Sequence, residues 1–444
     1  DGLGALLAQP EGRIVRGPFL EESPLHAIDG LITPTRLHFI RNHTPTPLID
    51  QDTWKLTVDG EVDRPLELSY EDILRLPSKS MNILLECASN SRSRYSPLAE
   101  GTAWTDGAVS VAEWTGVSLG DLLRSAGIRP NAVHVVAQGG DAGKVERGLP
   151  VDVALGPDTL LAYAMNGDTL PADHGFPLRL VVPGWIGVAS VKWLERLTVI
   201  PRPLEGAYQT VRYILDGPDY PDKPPATVLP VKSVVARPYT GTTIEPGLAS
   251  ISGFAWSGSG KITRVEISLN GGASWSDARV LEPIDRLHWA RWDFPWDAAP
   301  GQYTLLSRAT DETGATQPRS VPWNRLGYLY HASVPVPIGV GQPAPEAASV
   351  GQAPASAAAV AGQAPADRGQ EVFAQQCADC HGADGGGTPR GARVIGQGTN
   401  VVAYSPVELD RYIRTSMPQY DPGSLSPQEY DEVIAYLRRA NNLP

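Results

Sequence analysis

Cys377-Ala378-Asp379-Cys380-His381 decides how the C-terminal part of this chain is read. Two cysteines separated by two residues, with a histidine directly after them, form the attachment pattern of a c-type haem. Each thiol can add to a porphyrin vinyl group, and the histidine falls under the iron as its proximal ligand. A sixth ligand is still needed. Met417, in Ser416-Met417-Pro418, is the one methionine of this region, and a thioether opposite imidazole raises the iron's potential into an electron-transfer range. Half of a zinc site is the weaker reading, because the chain's remaining cysteine, Cys87, cannot supply a second ligand pair. A redox CxxC would want a βαβ context, which the surrounding pattern lacks.

Outward from the motif, residues 368–376 read as a helix ahead of it. Residues 427–440 read as a last helix, with Tyr430, Val433, Ile434 and Leu437 at the i, i+3, i+4, i+7 spacing. Residues 367–444 are expected to be an all-α cytochrome c domain. Before them, residues 338–366 are dominated by Ala, Gly, Pro, Gln and Ser, and Gly341-Gln342-Pro343-Ala344-Pro345 is echoed further on. Such a segment cannot bury enough apolar surface to fold. As a flexible linker it would average about 30 Å end to end, enough for a tethered domain to visit more than one docking site.

Residues 227–337 carry short strands at 250–256, 263–269, 288–294 and 303–310, with Asn270-Gly271 as a hairpin turn. They predict an immunoglobulin-like β-sandwich, though without a Cys…Trp…Cys framework, and Trp256 and Trp275 are assigned to its core. Residues 31–226 mix strands at 54–62, 81–86, 132–137 and 178–182 with short helices, and predict an α+β domain. Ser69 is placed to cap one helix with Asp72 completing the box, and residues 119–126 form another. Residues 1–30 are left as an N-terminal extension. The fold class is therefore multidomain.

The net charge of −12 argues against nucleic acid or an anionic membrane surface as partner. No run of apolar residues is long enough for a transmembrane helix. The N-terminus, Asp1-Gly2-Leu3-Gly4, is read as a processed end whose export signal has been removed. Covalent haem assembly on the outer side of a bacterial cytoplasmic membrane makes the expected location periplasmic.

Cys87 is the next centre of chemistry. It stands in Glu86-Cys87-Ala88-Ser89-Asn90-Ser91-Arg92-Ser93-Arg94, at a predicted strand end with two arginines after it. Cations lower a thiol's pKa, which suits a nucleophile or a soft metal ligand. A buried inert cysteine is the plainer alternative, and the polar, basic flanks weaken it. Phe39-Ile40-Arg41-Asn42-His43, Leu161-Ala162-Tyr163-Ala164-Met165-Asn166-Gly167, Asp173-His174-Gly175-Phe176-Pro177-Leu178-Arg179 and Ser190-Val191-Lys192-Trp193-Leu194 add to the pattern. With them, residues 31–332 resemble the molybdenum-dependent sulfite oxidase family in motif order and spacing. The β-rich segment, with Ser252-Gly253-Phe254-Ala255-Trp256-Ser257-Gly258, resembles that family's immunoglobulin-like dimerisation domain.

The resemblance implies a molybdenum–molybdopterin cofactor with Cys87 as the metal's thiolate ligand. It implies His43, His174, Arg179 and Lys192 as contacts to the anionic cofactor, with Asp141 and Ser190 at further cofactor positions. It implies Arg41 and Arg92 as donors to an anionic substrate, Trp104 as a pocket wall, and Tyr213 as a tyrosine near the metal. The late Trp323-Asn324-Arg325-Leu326-Gly327 element offers Arg325 to the substrate pocket. Cys377 and Cys380 attach the haem, and His381 and Met417 ligate its iron. This sequence departs from the family at Ser89 for a glycine, at Ser91 for an arginine, and at Gly187-Val188-Ala189, where a basic residue is often found.

The expected activity is oxidation of sulfite, with electrons leaving through the haem to a soluble cytochrome c or copper protein, by a homodimer. Oxidation of carrier-bound sulfane sulfur is the alternative. It is suggested by His26-Ala27-Ile28-Asp29-Gly30-Leu31-Ile32-Thr33-Pro34 and Leu85-Glu86-Cys87, which are similar to the sulfane dehydrogenase branch. A molybdenum sulfoxide or nitrate reductase and a non-catalytic electron carrier are further readings; a high Met–His potential argues against the reductase.

Overall fold

The computed structural model describes residues 12–17, 19–341, 365–386, 393–396, 399, 409–410, 413–414, 417, 425–441 and 443. The chain divides into two compact units. The first comprises Asp1–Ile14, Glu21–Arg41 and Thr46–Gly351; the second comprises Val15–Leu20, Asn42–Pro45 and Gln352–Pro444.

In the first unit, an α+β domain is built on two five-stranded sheets. One has the order Leu66–Ser69, Lys55–Gly60, Leu194–Ile200, His134–Gly139, Glu146–Pro150. Lys55–Gly60 runs parallel to Leu194–Ile200, and the other pairs are antiparallel. The second aligns Ser78–Glu86, Val109–Ser118 and Leu160–Met165, with Asp168–Thr169 and Arg179–Val181 both paired to the last. Period-two alternation puts Leu56 and Val58 into the core while Lys55 stays out. The helix Tyr70–Arg75 starts with the Ser69/Asp72 capping box, and Leu119–Ala126 is capped by Ser118 and ends at Gly127 with φ +75°.

Ser78–Glu86 changes character along its length. Its first half is half-exposed, and from Ile83 onward every side chain is buried. The reason is a second layer. Leu84 N donates to Leu287 O at 2.8 Å, and Leu84, Ala88 and Val109 share a core with Phe254, Trp256 and Trp289 of the β-domain. The run Ile83-Leu84-Leu85 is apolar because both faces of the strand are covered.

The β-domain is a sandwich. A four-stranded sheet (Lys232–Arg237, Gly247–Trp256, Ala290–Ala298, Arg279–Leu281) faces a five-stranded one (Thr243–Ile244, Val336–Val340, Gly301–Asp311, Ile262–Ser268, Ser276–Asp277). Ile251, Val265, Trp292, Leu305 and Ile338 meet between them.

Three expectations need correction. The sandwich does not end at residue 337, because Val336–Val340 is a strand paired with Gly301–Asp311, and Ile338 and Val340 are fully buried. The predicted linker therefore loses its first residues to the sheet. Residues 21–30 are not a loose extension, since Glu22, Ser23, Leu25 and Ile28 are buried and Ser23 N donates to Gly107 O at 2.8 Å. Trp275 is not core; it is half-buried under the Arg308 guanidinium, 4.2 Å from its ring centroid.

In the second unit, the helices Pro365–Gln376 and Pro427–Ala440 approach at Gly369, where a Cβ would lie 2.2 Å from the Glu432 carbonyl oxygen. Val372, Phe373, Ile413, Val433 and Leu437 form the core, with Cys377 and Met417 packed against it. The last helix opens on a Ser426/Glu429 capping box.

Candidate functional site

Cys87 emerges at the buried end of Ser78–Glu86, and the chain then turns sharply under a set of fixed hydrogen bonds. Cys87 N donates to Ala108 O at 2.9 Å, and Asn90 N returns to Cys87 O at 2.9 Å. The Asn90 side chain accepts from Ala108 N at 3.0 Å and donates to Glu86 Oε1 at 2.8 Å. Ser91 sits at φ 68°, which lets Arg92 begin a short helical turn. The Cys87 thiol and the Ser89 hydroxyl are 3.2 Å apart, so the serine that replaces the family's glycine shares a hydrogen bond with the sulfur.

Glu86 is buried and so is its partner. Lys232 Nζ lies 3.1 Å from Glu86 Oε1 and donates to Ser91 Oγ at 2.9 Å, while Trp256 Nε1 donates to Glu86 Oε2 at 2.7 Å. The β-domain thus reaches both sides of the Cys87 turn. Neither Glu86 nor Lys232 stood out in the sequence. A lysine buried on an apolar strand is visible only once its carboxylate partner is adjacent.

Two phenols stand near the thiol. Tyr213 and Tyr328 are stacked with ring centroids 5.0 Å apart and planes 12° apart. Burial pushes the Tyr213 phenol well above its ordinary range, with Arg41 opposing and Tyr328 and Cys87 adding to the shift. Burial raises Tyr328 too, against Arg92 and Arg41. Tyr213 is held at φ 57°, and its loop is clamped by Arg147, a fully buried residue whose Nη1 and Nη2 donate to Tyr208 O and Ala226 O at 2.5 Å each. Burial lowers the Arg147 pKa to about 10. Trp104 is buried beside the turn and accepts from Ser93 N at 3.1 Å.

A second cluster is built almost wholly of basic side chains. Arg179 Nη1 donates to His174 O at 3.1 Å, Lys192 Nζ donates to Asp173 O at 2.6 Å, and the His38 and His174 rings meet edge-on at 4.9 Å. Burial lowers Arg179 to about 9 and His38 to about 3. It lowers His174 and Lys192 well below their ordinary values, helped by repulsion from their neighbours. His38 Nε2, His174 Nδ1 and Arg179 Nε are buried without a hydrogen-bond partner. Unpaired buried donors that repel one another are a cavity for an anion. His38 is an addition to the expected set; a lone histidine closing the short turn Thr35–Leu37 gave no signal by itself.

The residues fit the implied cofactor. Arg179, His174, Lys192 and His38 can receive a phosphate-bearing pterin, and Cys87 offers a soft sulfur for molybdenum. Arg41 joins the two clusters, its carbonyl 3.4 Å from Lys192 Nζ and its charge felt by Tyr213. Asp141 is buried and accepts from Val145 N at 3.2 Å; Ser190 is buried and accepts from Val182 N at 3.1 Å. His43 is buried.

Arg325 is the departure. It is exposed and taken up by two carboxylates, Nη1 at 2.7 Å from Glu100 and Nη2 at 2.9 Å from Asp216, so its guanidinium is spent at the rim. The Trp323–Gly327 element instead brings Gly327, at φ +62°, against Arg92, where a Cβ would lie 2.6 Å from Arg92 Cγ. In the second unit, Cys377 N donates to Phe373 O and His381 N to Cys377 O, each at 2.9 Å, and Tyr430 Oη donates to Met417 O at 2.7 Å. The side chain of Cys380 lies outside the described residues.

Residues 43–208 match the oxidoreductase molybdopterin binding domain, residues 223–338 the Mo-co oxidoreductase dimerisation domain, and residues 364–437 the family described as cytochrome C oxidase, cbb3-type, subunit III. Sulfite oxidase of Gallus gallus is 38% identical over 70% of this chain and 74% of its own length. The mitochondrial sulfite oxidase of Homo sapiens is 36% identical over 71% of this chain, which spans 63% of the human protein. Among solved structures, the sulfane dehydrogenase SoxCD from Paracoccus pantotrophus superimposes with a TM-score of 0.67 at 33% identity, over 72% of this chain and 85% of that one. The chain therefore belongs to the sulfite oxidase family of molybdenum-dependent oxidoreductases, with a cytochrome c domain fused behind its dimerisation domain.

Proposed function

We propose that this chain oxidises sulfite to sulfate and passes the electrons through its haem to an external soluble cytochrome c or copper protein. The balance is SO₃²⁻ + H₂O → SO₄²⁻ + 2H⁺ + 2e⁻. Molybdenum–molybdopterin, when bound, supplies the oxygen transfer and accepts the electron pair. The chain's residues do the rest. Arg41 and Arg92 bind and orient the oxyanion, Trp104 walls the pocket, and the Arg179–His174–Lys192 cluster holds the cofactor's anionic end. His381 and Met417 ligate the haem iron bound at Cys377 and Cys380, and that ligand pair sets a potential suited to receiving electrons. Export to the periplasm and assembly as a homodimer through the β-domain belong to the same reading.

The observation that carries it is the Arg92 guanidinium lying over the Tyr328 ring, which stacks on Tyr213 and is tied by the Leu329–Ala88 hydrogen bond to the Cys87 turn. The test is reduction of the haem by sulfite in molybdenum-replete full-length protein. Wild type is expected to reduce its haem, and Cys87→Ser to slow this by at least about a hundredfold. A wild-type haem that stays oxidised overturns the proposal. Carrier-bound sulfane sulfur is the second substrate reading, favoured by the likeness to the Paracoccus enzyme and by the pairing of Arg325 with Glu100 and Asp216. Faster haem reduction by a persulfide-loaded carrier peptide than by sulfite would select it.

A further inference from the structure

We propose that Tyr328 is a specificity-determining residue of this site: its ring holds the Arg92 guanidinium in place, and its hydroxyl donates to the oxyanion that Arg41 and Arg92 bind. The inference rests on the reading of the pocket as a sulfur-oxyanion site and names a group that neither the motifs nor the family resemblance assigned.

The backbone around Tyr328 is pinned to the machinery on three sides. Leu329 N donates to Ala88 O at 2.7 Å, directly after Cys87. The Tyr328 carbonyl accepts from Tyr95 Oη and from Asn324 Nδ2, each at 3.0 Å, and Tyr328 N donates to Asn324 Oδ1 at 2.9 Å. Gly327 packs against the Arg92 stem with no room for a side chain. The ring therefore has one place to go. It lies parallel on Tyr213, with the Arg92 guanidinium carbon 5.3 Å from its centroid. That contact is worth more when water is excluded, and Tyr328 is 7% exposed.

The hydroxyl is the unspent part. Among the described residues it has no hydrogen-bond partner, although the backbone groups beside it are satisfied. The Arg92 guanidinium stands over the ring, and the Leu329–Ala88 hydrogen bond holds the residue next to the Cys87 turn; Arg41 and Arg212 also act on the phenol. A neutral phenol there donates a hydrogen bond to an anion at little desolvation cost, whereas a third guanidinium would have added charge. Arg325 is held by Glu100 and Asp216, whereas Tyr328, three residues on, lies against Arg92.

The test compares Tyr328→Phe and Tyr328→Val with wild type in the full-length holoenzyme, at matched molybdenum and haem content. Tyr328→Phe keeps the ring and is expected to raise KM for sulfite about tenfold with kcat within about twofold, the loss of one charge-assisted hydrogen bond. Tyr328→Val also frees Arg92 and is expected to raise KM further and to lower kcat. Sulfate affinity, measured calorimetrically on the same proteins, should weaken in the same order, and it does not depend on turnover. Wild-type protein that sulfite fails to reduce sinks the substrate reading alone. Sulfate and sulfite parameters unchanged in Tyr328→Phe sink the role of the hydroxyl, and unchanged parameters in Tyr328→Val sink that of the ring.

Discussion

Two buried lysines in the same unit are treated in opposite ways. Lys232 is 1% exposed and fully answered: Glu86 neutralises it, Ser91 accepts from it, and the Trp256 ring lies under it at 5.7 Å. Lys192 is crowded by Arg179 and Arg41, with Asp173 and Asp141 opposing them, and it donates to the backbone carbonyls of Arg41 and Asp173. A cation whose counter-charge is built into the chain is structural. A group of basic side chains crowded together, with carboxylates opposing the repulsion only in part, suits a ligand that brings negative charge. The difference separates the scaffold of the Cys87 turn from the receptacle for the cofactor, and it can be broken experimentally.

The largest effect is expected at the answered lysine. Lys232→Met leaves the Glu86 carboxylate buried and alone, which costs about 3–5 kcal/mol. Replacing the pair together, as Glu86→Gln with Lys232→Gln, should recover most of that loss, because two neutral amides can still hydrogen-bond. Urea unfolding of the cofactor-free proteins measures both. Lys192→Met should behave in reverse, leaving the cofactor-free protein no less stable while the molybdenum content of purified protein falls. Equal destabilisation by the two substitutions would erase the distinction.

The cluster of basic side chains also predicts a pH dependence. His38 carries a folded pKa of about 3 against about 6.5 unfolded. Between those values the unfolded chain binds the extra proton, so stability rises with pH and is lost as pH falls below about 6.5. From pH 6.5 to 5 this one group contributes about 2 kcal/mol of loss in cofactor-free protein, and His174 acts in the same direction. An anion bound against these rings stabilises their charged forms and flattens the curve. Thermal melts of cofactor-free and cofactor-loaded protein over that range should therefore diverge at the acidic end; parallel curves would remove the cluster from the cofactor site.

The sequence made the strands, the capped helices and the end at Cys87 legible because each rests on local chemistry: alternation, a Ser69/Asp72 box, a thiol beside arginines. The extra turn of sandwich at Ile338–Val340 was hidden by the Pro- and Gly-rich composition that follows it. Arg92 and Tyr213, both singled out through motif order, pack against the same ring, that of Tyr328. Tyr328, His38, Glu86 and Lys232 were not singled out, because each acquires its role from a partner distant in sequence, as Lys232 does from Glu86. Arg325 shows the opposite error: a charged residue in the expected motif, drawn away by Glu100 and Asp216, which no local pattern linked to it.

Arg325 therefore marks a third class of cation, exposed and paired, and the smallest expected effect. Its side chain is 45% exposed and its partner Glu100 60% exposed, so water and salt screen the pair to well under about 1 kcal/mol. Arg325→Ala should change KM for sulfite by less than about threefold, whereas Arg92→Ala, which removes a buried guanidinium from beside Tyr328, should raise it by well over tenfold. Added salt should shrink the Arg325 effect and leave the Arg92 effect, since buried charges are screened far less than exposed ones. The comparison sharpens if both hold. If Arg325→Ala raises KM as much as Arg92→Ala, the guanidinium leaves Glu100 and Asp216 when the oxyanion enters, and the rim pair is the resting state of a third substrate arginine.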